Sequence, residues 1–583
     1  MGVPGFFSWL IKQYKGDKLL LDQLPEKPSI LYIDANCLFH PQCFKILEGM
    51  TSEKRIDKLE EKMINRILNY IDYLIGFTDP QELVYLSVDG VAPLAKINQQ
   101  RKRRFRSIDD TNMRNAIKKK YNIESNDTWN NTVITPGTEF MEKLHKNILD
   151  HFRNKKSGVK IIYSSYHTPG EGEHKILQHL KNKKKKKGPY VIYGLDADLF
   201  FLAMSSQVND IYLLREDSQI TGINKSVNEL YDLVEDVAEE LKFVSVDTTK
   251  SCYNEQIKYI INMKMEQKKY ETISNNIDIN KNFCNDFIFL CYLLGNDFLP
   301  HFPSIDIKKN GLDILLDSYS DIYIKYGENL ININNEEPEI NDYIFYELIK
   351  KISSLENDYF TRILPEMKNR SKNRRCMSDN KYVQEMWKLE NMKIFDIEDP
   401  IKLGHGEEGE WKFRYYEHYF HTNEYQNITI NEVCECYLVG LKWVTYYYFK
   451  ECPDWRWQYY YNHAPFISDL YYYLDNKFSF KNIKFKMNDP LECCTQLLCV
   501  LPPKCKNILP LEFQNLVSCK ESAIIDMFPD QIELDMINKD LYWQCIPLVP
   551  VLDIDRILAC VKNIKLKKED KIRNMLSKDI IIN

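Results

Sequence analysis

Four acidic clusters, seven carboxylates in all, stand where apolar runs end. Asp34 closes SILYIDAN and Asp89 closes ELVYLSVDG. Glu171 and Glu173 flank Gly172 in TPGEGEH and pair with Asp196 and Asp198 of YVIYGLDADLF. Asp297 follows FLCYLLGN. A folded chain does not gather that much negative charge without cations to neutralise it. Oxygen ligands suit hard divalent ions, Mg²⁺ with Mn²⁺ as its substitute, and two such ions side by side hydrolyse phosphodiesters. For one acid taken alone, a turn or a helix N-cap is the commoner role. Paired acids at i, i+2 in two places are harder to read as caps. Gly170 and Gly172 would let the backbone approach a phosphate or metal closely.

A basic stretch follows the second cluster. Residues 96–106, KINQQRKRRFR, carry six basic side chains and no acidic one. Read as a helix, Lys96, Gln100, Arg103 and Arg104 fall on one face at i, i+4, i+7 and i+8. Arginine forks beside a lysine point charge suit a terminal phosphate. Seven residues separate Asp89 from Lys96, roughly 10 Å along a helix, so one substrate can meet both groups. The alternative is a solvated basic helix or a general nucleic-acid patch. The run of lysines from Lys181 to Lys187 reads as a solvated loop.

The elements that must hold these residues follow from periodicity. Ile30 to Ile33, Leu83 to Val88 and Val191 to Tyr193 are short, β-branched or aromatic runs of the kind buried on both faces of a parallel sheet. Helical segments separate them, clearest from Arg55 to Ile75, with an apolar stripe from Ile56 through Leu59, Met63, Ile67, Ile71 and Leu74 to Ile75. Alternating strands and helices predict an α/β fold with a largely parallel central sheet flanked by helices. In such sheets ligands bind beyond the carboxyl ends of the strands, where Asp34, Asp89 and Asp196 fall.

With 583 residues and 44% hydrophobic content, the chain can form two lobes. The first, 1–350, would be the catalytic nuclease domain. The second, 351–583, is rich in tyrosine and tryptophan, and would be mainly helical and cover the active site. Polar stretches at 248–281 and 325–341 read as surface loops or mobile insertions, and 377–410 as an irregular connection. The net charge of −6 does not exclude a nucleic-acid ligand, because the basic face is local. Sixteen cysteines without a C-x-x-C pair or zinc spacing fit free thiols in a reducing compartment. No apolar run approaches the roughly 18 residues of a membrane span. The expectation is a soluble, cytoplasmic protein, with the nucleus as the alternative.

These blocks resemble the Xrn-type 5′→3′ exoribonuclease family. MGVPGFFSWL, YIDANCLFH, SVDGVAPLAKINQQRKRRFR, TPGEGEHKI, GLDADLFFL and LLGNDFLPH match its first signature region. CECYLVGLKWVTYYYFKECPDWRWQYYYNHAPFISD, LPPKCKNILP and ELDMINKDLYWQCIPLVP match its second. The resemblance implies a PIN/flap-nuclease-like fold, and the chain reads as a minimal catalytic core. It places Asp34, Asp89, Glu171, Glu173, Asp196, Asp198 and Asp297 on the family's metal-binding acids. Lys96, Gln100, Arg103 and Arg104 fall on its pocket for a 5′-monophosphate. His40 matches the histidine that stacks on the first base, with Trp457 preferred over Trp455 as its partner.

The implied substrate is single-stranded RNA with a 5′-monophosphate. The implied protein is a monomer, with decapping factors as candidate partners. Asn462 and His463 depart from the family pattern, where histidine and tyrosine are usual, and Gly5 replaces a usual basic residue. Two other readings remain open: a flap-type 5′ nuclease acting on DNA, and a non-catalytic RNA-binding scaffold.

Overall fold

A computed structural model of the chain describes residues 6–14, 19–50, 52–123, 129–155, 158–182, 188–196, 198–218, 238–267, 274, 277–307, 310–422, 428–475 and 478–582. Gly5 and lysines 183–187 lie outside the described residues. The strands are β1 (Leu20–Leu21), β2 (Ile30–Asp34), β3 (Leu83–Ser87), β4 (Lys160–Ser164), β5 (Tyr190–Tyr193), β6 (Ile211–Glu216), β7 (Leu241–Ser245), β8 (Ile331–Asn334), β9 (Glu337–Ile340), β10 (Glu533–Asp535), β11 (Ile546–Leu548) and β12 (Ile580–Ile582). Seven helices frame the site: α1 (Phe6–Gln13), α2 (Ala35–Gly49), α3 (Ile56–Thr78), α4 (Leu94–Lys120), α5 (Glu139–Asn154), α6 (Gly172–Lys181) and α7 (Asp198–Ser205).

The main sheet runs β1-β7-β6-β5-β2-β3-β4-β12. Its five central strands, β6 to β4, are parallel, and β7 and β12 pair antiparallel at the two sides. The expected mixed, largely parallel sheet is therefore present. Strands β2, β3 and β5 are buried along their whole length. Their side chains divide by the two-residue period of a strand. Tyr32, Tyr85 and Ile192 enter one core; Leu31, Ile33, Val84, Leu86 and Val191 enter the other. Both cores hold residues from the second half: Trp443 and Tyr447 in the first, Leu497 and Phe513 in the second. Position 350 lies inside the helix Asp342–Asp358. The aromatic-rich half thus packs on both faces of the sheet and, through β12, extends it.

Helix α3 buries Leu59, Met63, Ile67, Leu68, Ile71 and Leu74 as the stripe predicts, while Ile56 is exposed and Ile75 half-buried at its ends. Both polar insertions hold regular structure, which corrects that part of the reading; residues 268–273 and 275–276 lie outside the described residues. Residues 246–266 form a helix whose Thr249, Tyr253, Ile257 and Ile261 are buried, capped by the Ser245 hydroxyl. The apolar stripe is diluted by lysine and asparagine, so composition hid it. Residues 331–340 form the β8–β9 hairpin, turned at Asn335 and Glu336, both with positive φ. The buried Asp286 carboxylate anchors it by accepting from Ile331 N at 2.6 Å. Within 377–410 the reading is half right: Lys381–Glu390 is a capped helix against α4, Glu408 opens the helix Glu408–Phe420, and the stretch between them is irregular.

Candidate active site

The acids meet at the carboxyl edge of the parallel strands, held by the local structure that follows each strand. Asp34 is the last residue of β2 and Glu171 precedes α6; both occupy N-cap positions, yet neither side chain makes a capping bond. The capping role is therefore rejected for these two. Asp89 lies just past β3, Asp196 past β5, Asp198 opens α7, and Asp297 sits in the turn after the helix Cys284–Tyr292.

Backbone and neutral side chains set the acids' positions. Asp89 Oδ1 accepts from Gly172 N at 2.7 Å, and Asn36 Oδ1 holds the Asp89 amide at 3.0 Å. Asp34 Oδ2 accepts from the Cys37 thiol at 3.0 Å. The Gly172 carbonyl accepts from Ser87 Oγ at 2.9 Å. A Cβ on Gly172 would lie 2.6 Å from Asp34 Oδ1 and 3.3 Å from Asp89 Oδ1. Glycine at 172 thus lets the Glu171–Glu173 segment close on two other carboxylates. Gly170 turns the chain at φ 107°, the left-handed region open to glycine. Lys175 Nζ, buried, ties this loop to β3 through Val88 O at 2.7 Å and Ser165 O at 2.9 Å.

The charges are only partly neutralised. Lys96 Nζ lies 2.5 Å from Glu171 Oε2 and 2.8 Å from Asp297 Oδ2. Burial opposes its charge, but these two carboxylates prevail and hold its pKa well above the usual lysine value. Burial, together with Asp89, pushes Asp34 well up, and burial pushes Glu173 well up against the pull of Lys96. Burial with Asp297 takes Asp198 to about 7. Asp34 Oδ1, Glu173 Oε2 and Asp198 Oδ1 are buried with no hydrogen-bond partner. Oxygens buried at a site crowded with like charge fit hard divalent cations. Among the described residues no His, Cys, Asp or Glu trio forms a closed metal cage. The lysine between Glu171 and Asp297 accounts for that spacing.

Six of the seven acids, all but Asp198, line a cavity of about 370 Å³ whose walls include Lys96, Gln100, Arg103, Arg104 and His40. The predicted basic face on α4 is therefore brought together with the acids. Arg104 donates to Thr135 Oγ1 at 2.6 Å. Burial, with Arg103 beside it, lowers the Arg104 pKa against the opposing pull of Cys505 and Asp89. His40 is held neutral: burial first, then Arg103 and Arg104, take it down to about 4.

Trp457 does not line this cavity. It is half-buried and stacks on Trp443 at 4.9 Å, fitting over Gly440. Trp455 offers its carbonyl to Leu94 N at 2.9 Å, at the start of α4.

Three features were missed by reading the sequence. Tyr447, from the helix Ile430–Phe449, donates its hydroxyl to Glu171 Oε1 at 2.6 Å, and its ring stacks on His174 at 4.0 Å and Trp443 at 4.8 Å. Arg101 and Arg106, counted among the six basic side chains of 96–106 but not on the face, turn away from the cavity. Arg101 is buried between Phe105 and Phe528 and donates to Cys499 O at 2.8 Å and to Met527 O. Arg106 donates to the carbonyls of Tyr542, Trp543 and Cys545. They pin α4 to the second half of the chain. For Arg101, two positions from Arg103 and so on the far side of the helix, periodicity signals this; for Arg106, three positions on, it does not.

Residues 1–217 match the family model for the XRN 5'-3' exonuclease N-terminus, and 276–395 with 365–583 match the Xrn1 helical domain. The chain belongs to the XRN family. Among XRN relatives, 5'-3' exoribonuclease 1 of Homo sapiens is 30% identical over 99% of this chain and 35% of its own length. The protein of that name from Saccharomyces cerevisiae is 26% identical over 100% of the chain and 44% of its own. For 5'-3' exoribonuclease 2 of Kluyveromyces lactis the figures are 25%, 100% and 77%. The chain thus spans about a third to a half of the exoribonuclease 1 relatives. The XRN match covers every acid of the site and the whole of α4.

Proposed function

We propose that the protein hydrolyses single-stranded RNA stepwise from a 5′-monophosphate end, releasing nucleoside 5′-monophosphates. The observation that carries this is the meeting, in one cavity, of the carboxylate cluster with the Gln100, Arg103 and Arg104 face of α4. An enzyme that counts from a phosphorylated end requires a phosphate-sized cationic pocket next to its acids. The printed names of the relatives support the same reading.

Asp34, Asp89, Glu171, Glu173, Asp196, Asp198 and Asp297 would hold two Mg²⁺, with Mn²⁺ able to substitute. Bound there, the ions supply an activated water and stabilise the departing 3′ oxygen. The rest falls to the chain itself. Lys96 neutralises Glu171 and Asp297 in the absence of ions and stands beside the pocket for the new 5′-phosphate. Arg103 and Arg104 orient that phosphate, and the enclosed pocket excludes caps and triphosphates by size. His40, uncharged, offers a flat face to the terminal base, and Trp457 is proposed as the opposing platform. Base stacking of this kind contributes about 1–3 kcal/mol without sequence preference. For Trp457 to serve, RNA must reach the face not covered by Trp443.

In this reading 1–350 supplies the acids and the phosphate pocket, and 351–583 supplies Tyr447 and Trp457. All sixteen cysteines are free, which suits a reducing compartment. We place the protein in the cytoplasm, with the nucleus as the alternative. We take it to act as a monomer fed by decapping factors. The described helices include none long and apolar enough to cross a membrane.

The test uses one RNA carrying a 5′-monophosphate, 5′-triphosphate or 5′-hydroxyl, with Mg²⁺ or EDTA. Mononucleotides released from the monophosphate alone, and only with metal, establish the reading. Internal cuts regardless of the 5′ end would support the flap-type nuclease, and binding without cleavage the scaffold.

A further inference from the structure

A second cavity, of about 400 Å³, lies on the other side of α4. Helix α4 is a wall common to both. Lys96, Gln100, Arg103 and Arg104 face the acids, while Ala95, Asn98, Gln99 and Lys102 line the second space. Asp297 lines both cavities, so they adjoin at the Lys96–Asp297 ion pair.

The lining of the second cavity has a definite chemistry. Tyr359, Tyr415, Tyr419, Tyr459 and Tyr461 provide aromatic surface. Two lysines, Lys102 and Lys539, and three carboxylates, Asp297, Asp306 and Asp540, also line it. Lys102 Nζ donates to Asn462 Oδ1 at 2.6 Å, and among the described residues no carboxylate pairs with it. Burial alone lowers its pKa to about 8. A half-buried cation held by a neutral amide lacks the anion that often accompanies it. Gln99 Oε1 and Asn538 Oδ1, from two lining residues, accept no hydrogen bond. The cavity therefore offers an aromatic surface and a cation in want of an anion, with Gln99 and Asn538 in its walls. Its volume is that of a small-ligand site.

We propose that this cavity is a second nucleotide site, taking one ribonucleoside 5′-monophosphate. The phosphate pairs with Lys102, the base lies against the tyrosines, and ribose or base donors meet Gln99 and Asn538. Two sources supply such a ligand. One is the product of the acid site, which adjoins at Asp297; this arm rests on the function proposed above. The other is free nucleotide from solution.

Titration of adenosine 5′-monophosphate into the full chain in EDTA, followed by calorimetry, tests the site without requiring cleavage. Substituting Arg103→Ala and Arg104→Ala empties the phosphate pocket beside the acids. In that background one equivalent of nucleotide should still bind, and adenosine should bind at least tenfold more weakly. Lys102→Met should weaken binding tenfold or more, and Ile537→Trp should block it by filling the cavity. No binding in the double-arginine variant, or binding unchanged by both Lys102→Met and Ile537→Trp, overturns the proposal.

Cleavage of 5′-monophosphorylated RNA with Mg²⁺ is scored separately, so failure of the nuclease reading leaves the titration interpretable. With binding established, Ile537→Trp tells the sources apart. Slower steady-state release with an unchanged first turnover assigns the site to product. Both rates unchanged assign it to free nucleotide.

Discussion

The Tyr447 hydroxyl donates to Glu171 Oε1 at 2.6 Å, so an acid of the first half of the chain is oriented by a residue 276 positions later. The bond leaves Glu171 with one oxygen fixed by Tyr447 and the other by Lys96. The tyrosine touches no substrate in the proposed reaction; it positions a residue that does.

Tyr447→Phe keeps the ring stack and removes only the hydroxyl. Outer hydrogen bonds to metal-site ligands are typically worth about 10–100-fold in activity or metal affinity. The expected outcome is a kcat about tenfold lower at saturating Mg²⁺, with KM for RNA nearly unchanged and Tm within a degree or two. A change confined to KM would remove Tyr447 from the site's organisation.

Asp34→Asn should raise the melting temperature of the metal-free protein, because it deletes a buried charge whose Oδ1 has no partner. It should also abolish cleavage and shrink the stabilisation that Mg²⁺ gives the parent. Differential scanning fluorimetry with Mg²⁺ or EDTA checks all three. Asp196→Ala combined with Asp198→Ala should likewise stop turnover while leaving RNA binding largely intact.

The pH dependence has a definite sign. Burial, then Asp297, raises the folded-state pKa of Asp198 to about 7. A folded value above the unfolded one means this group's contribution is full below about pH 4 and is lost as pH rises through 7. The gap in melting temperature between Asp198→Asn and the parent, both in EDTA, should therefore widen in the variant's favour from pH 5 to pH 8. A gap that stays constant would show that Asp198 titrates as an ordinary surface carboxylate.

Two arginines two residues apart should give opposite phenotypes. Arg101→Ala leaves the Cys499 and Met527 carbonyls without their donor and opens a gap between Phe105 and Phe528, a loss of about 2–4 kcal/mol in stability. Arg103→Ala should leave the melting temperature alone and erase the preference for a 5′-monophosphate over a 5′-hydroxyl end. Urea unfolding and competition cleavage distinguish the two.

Gly172→Ala introduces a Cβ 2.6 Å from Asp34 Oδ1. The carboxylates must separate, and cleavage should fall by at least tenfold, while RNA binding through Arg103 and Arg104 persists. Parallel filter-binding and turnover assays decide it.

What could be read from sequence was what is periodic or local. The strands ending in Asp34, Asp89 and Asp196, the stripe of α3 and the face of α4 follow from runs of two- and 3.6-residue repeat. What could not be read was long-range pairing. Nothing near Tyr447 points to Glu171, and among the six basic residues of 96–106 nothing marks out the carbonyl partners of Arg101 and Arg106 until the second half of the chain packs against them. Lys96 is the instructive case: its place on the cavity wall was legible, its ion pairs with Glu171 and Asp297 were not. The helix at 246–266 was lost for a different reason, because lysine and asparagine are as many as its buried positions.

The column His174–Tyr447–Trp443–Trp457 has an optical consequence. Indoles 4.9 Å apart with planes 24° from parallel share their excited states, so Trp443 and Trp457 give the protein a coupled near-ultraviolet signal. The signal originates in a stack whose next member, Tyr447, holds an acid of the site. Ligands reaching either end of that stack announce themselves in fluorescence and dichroism, with no label attached.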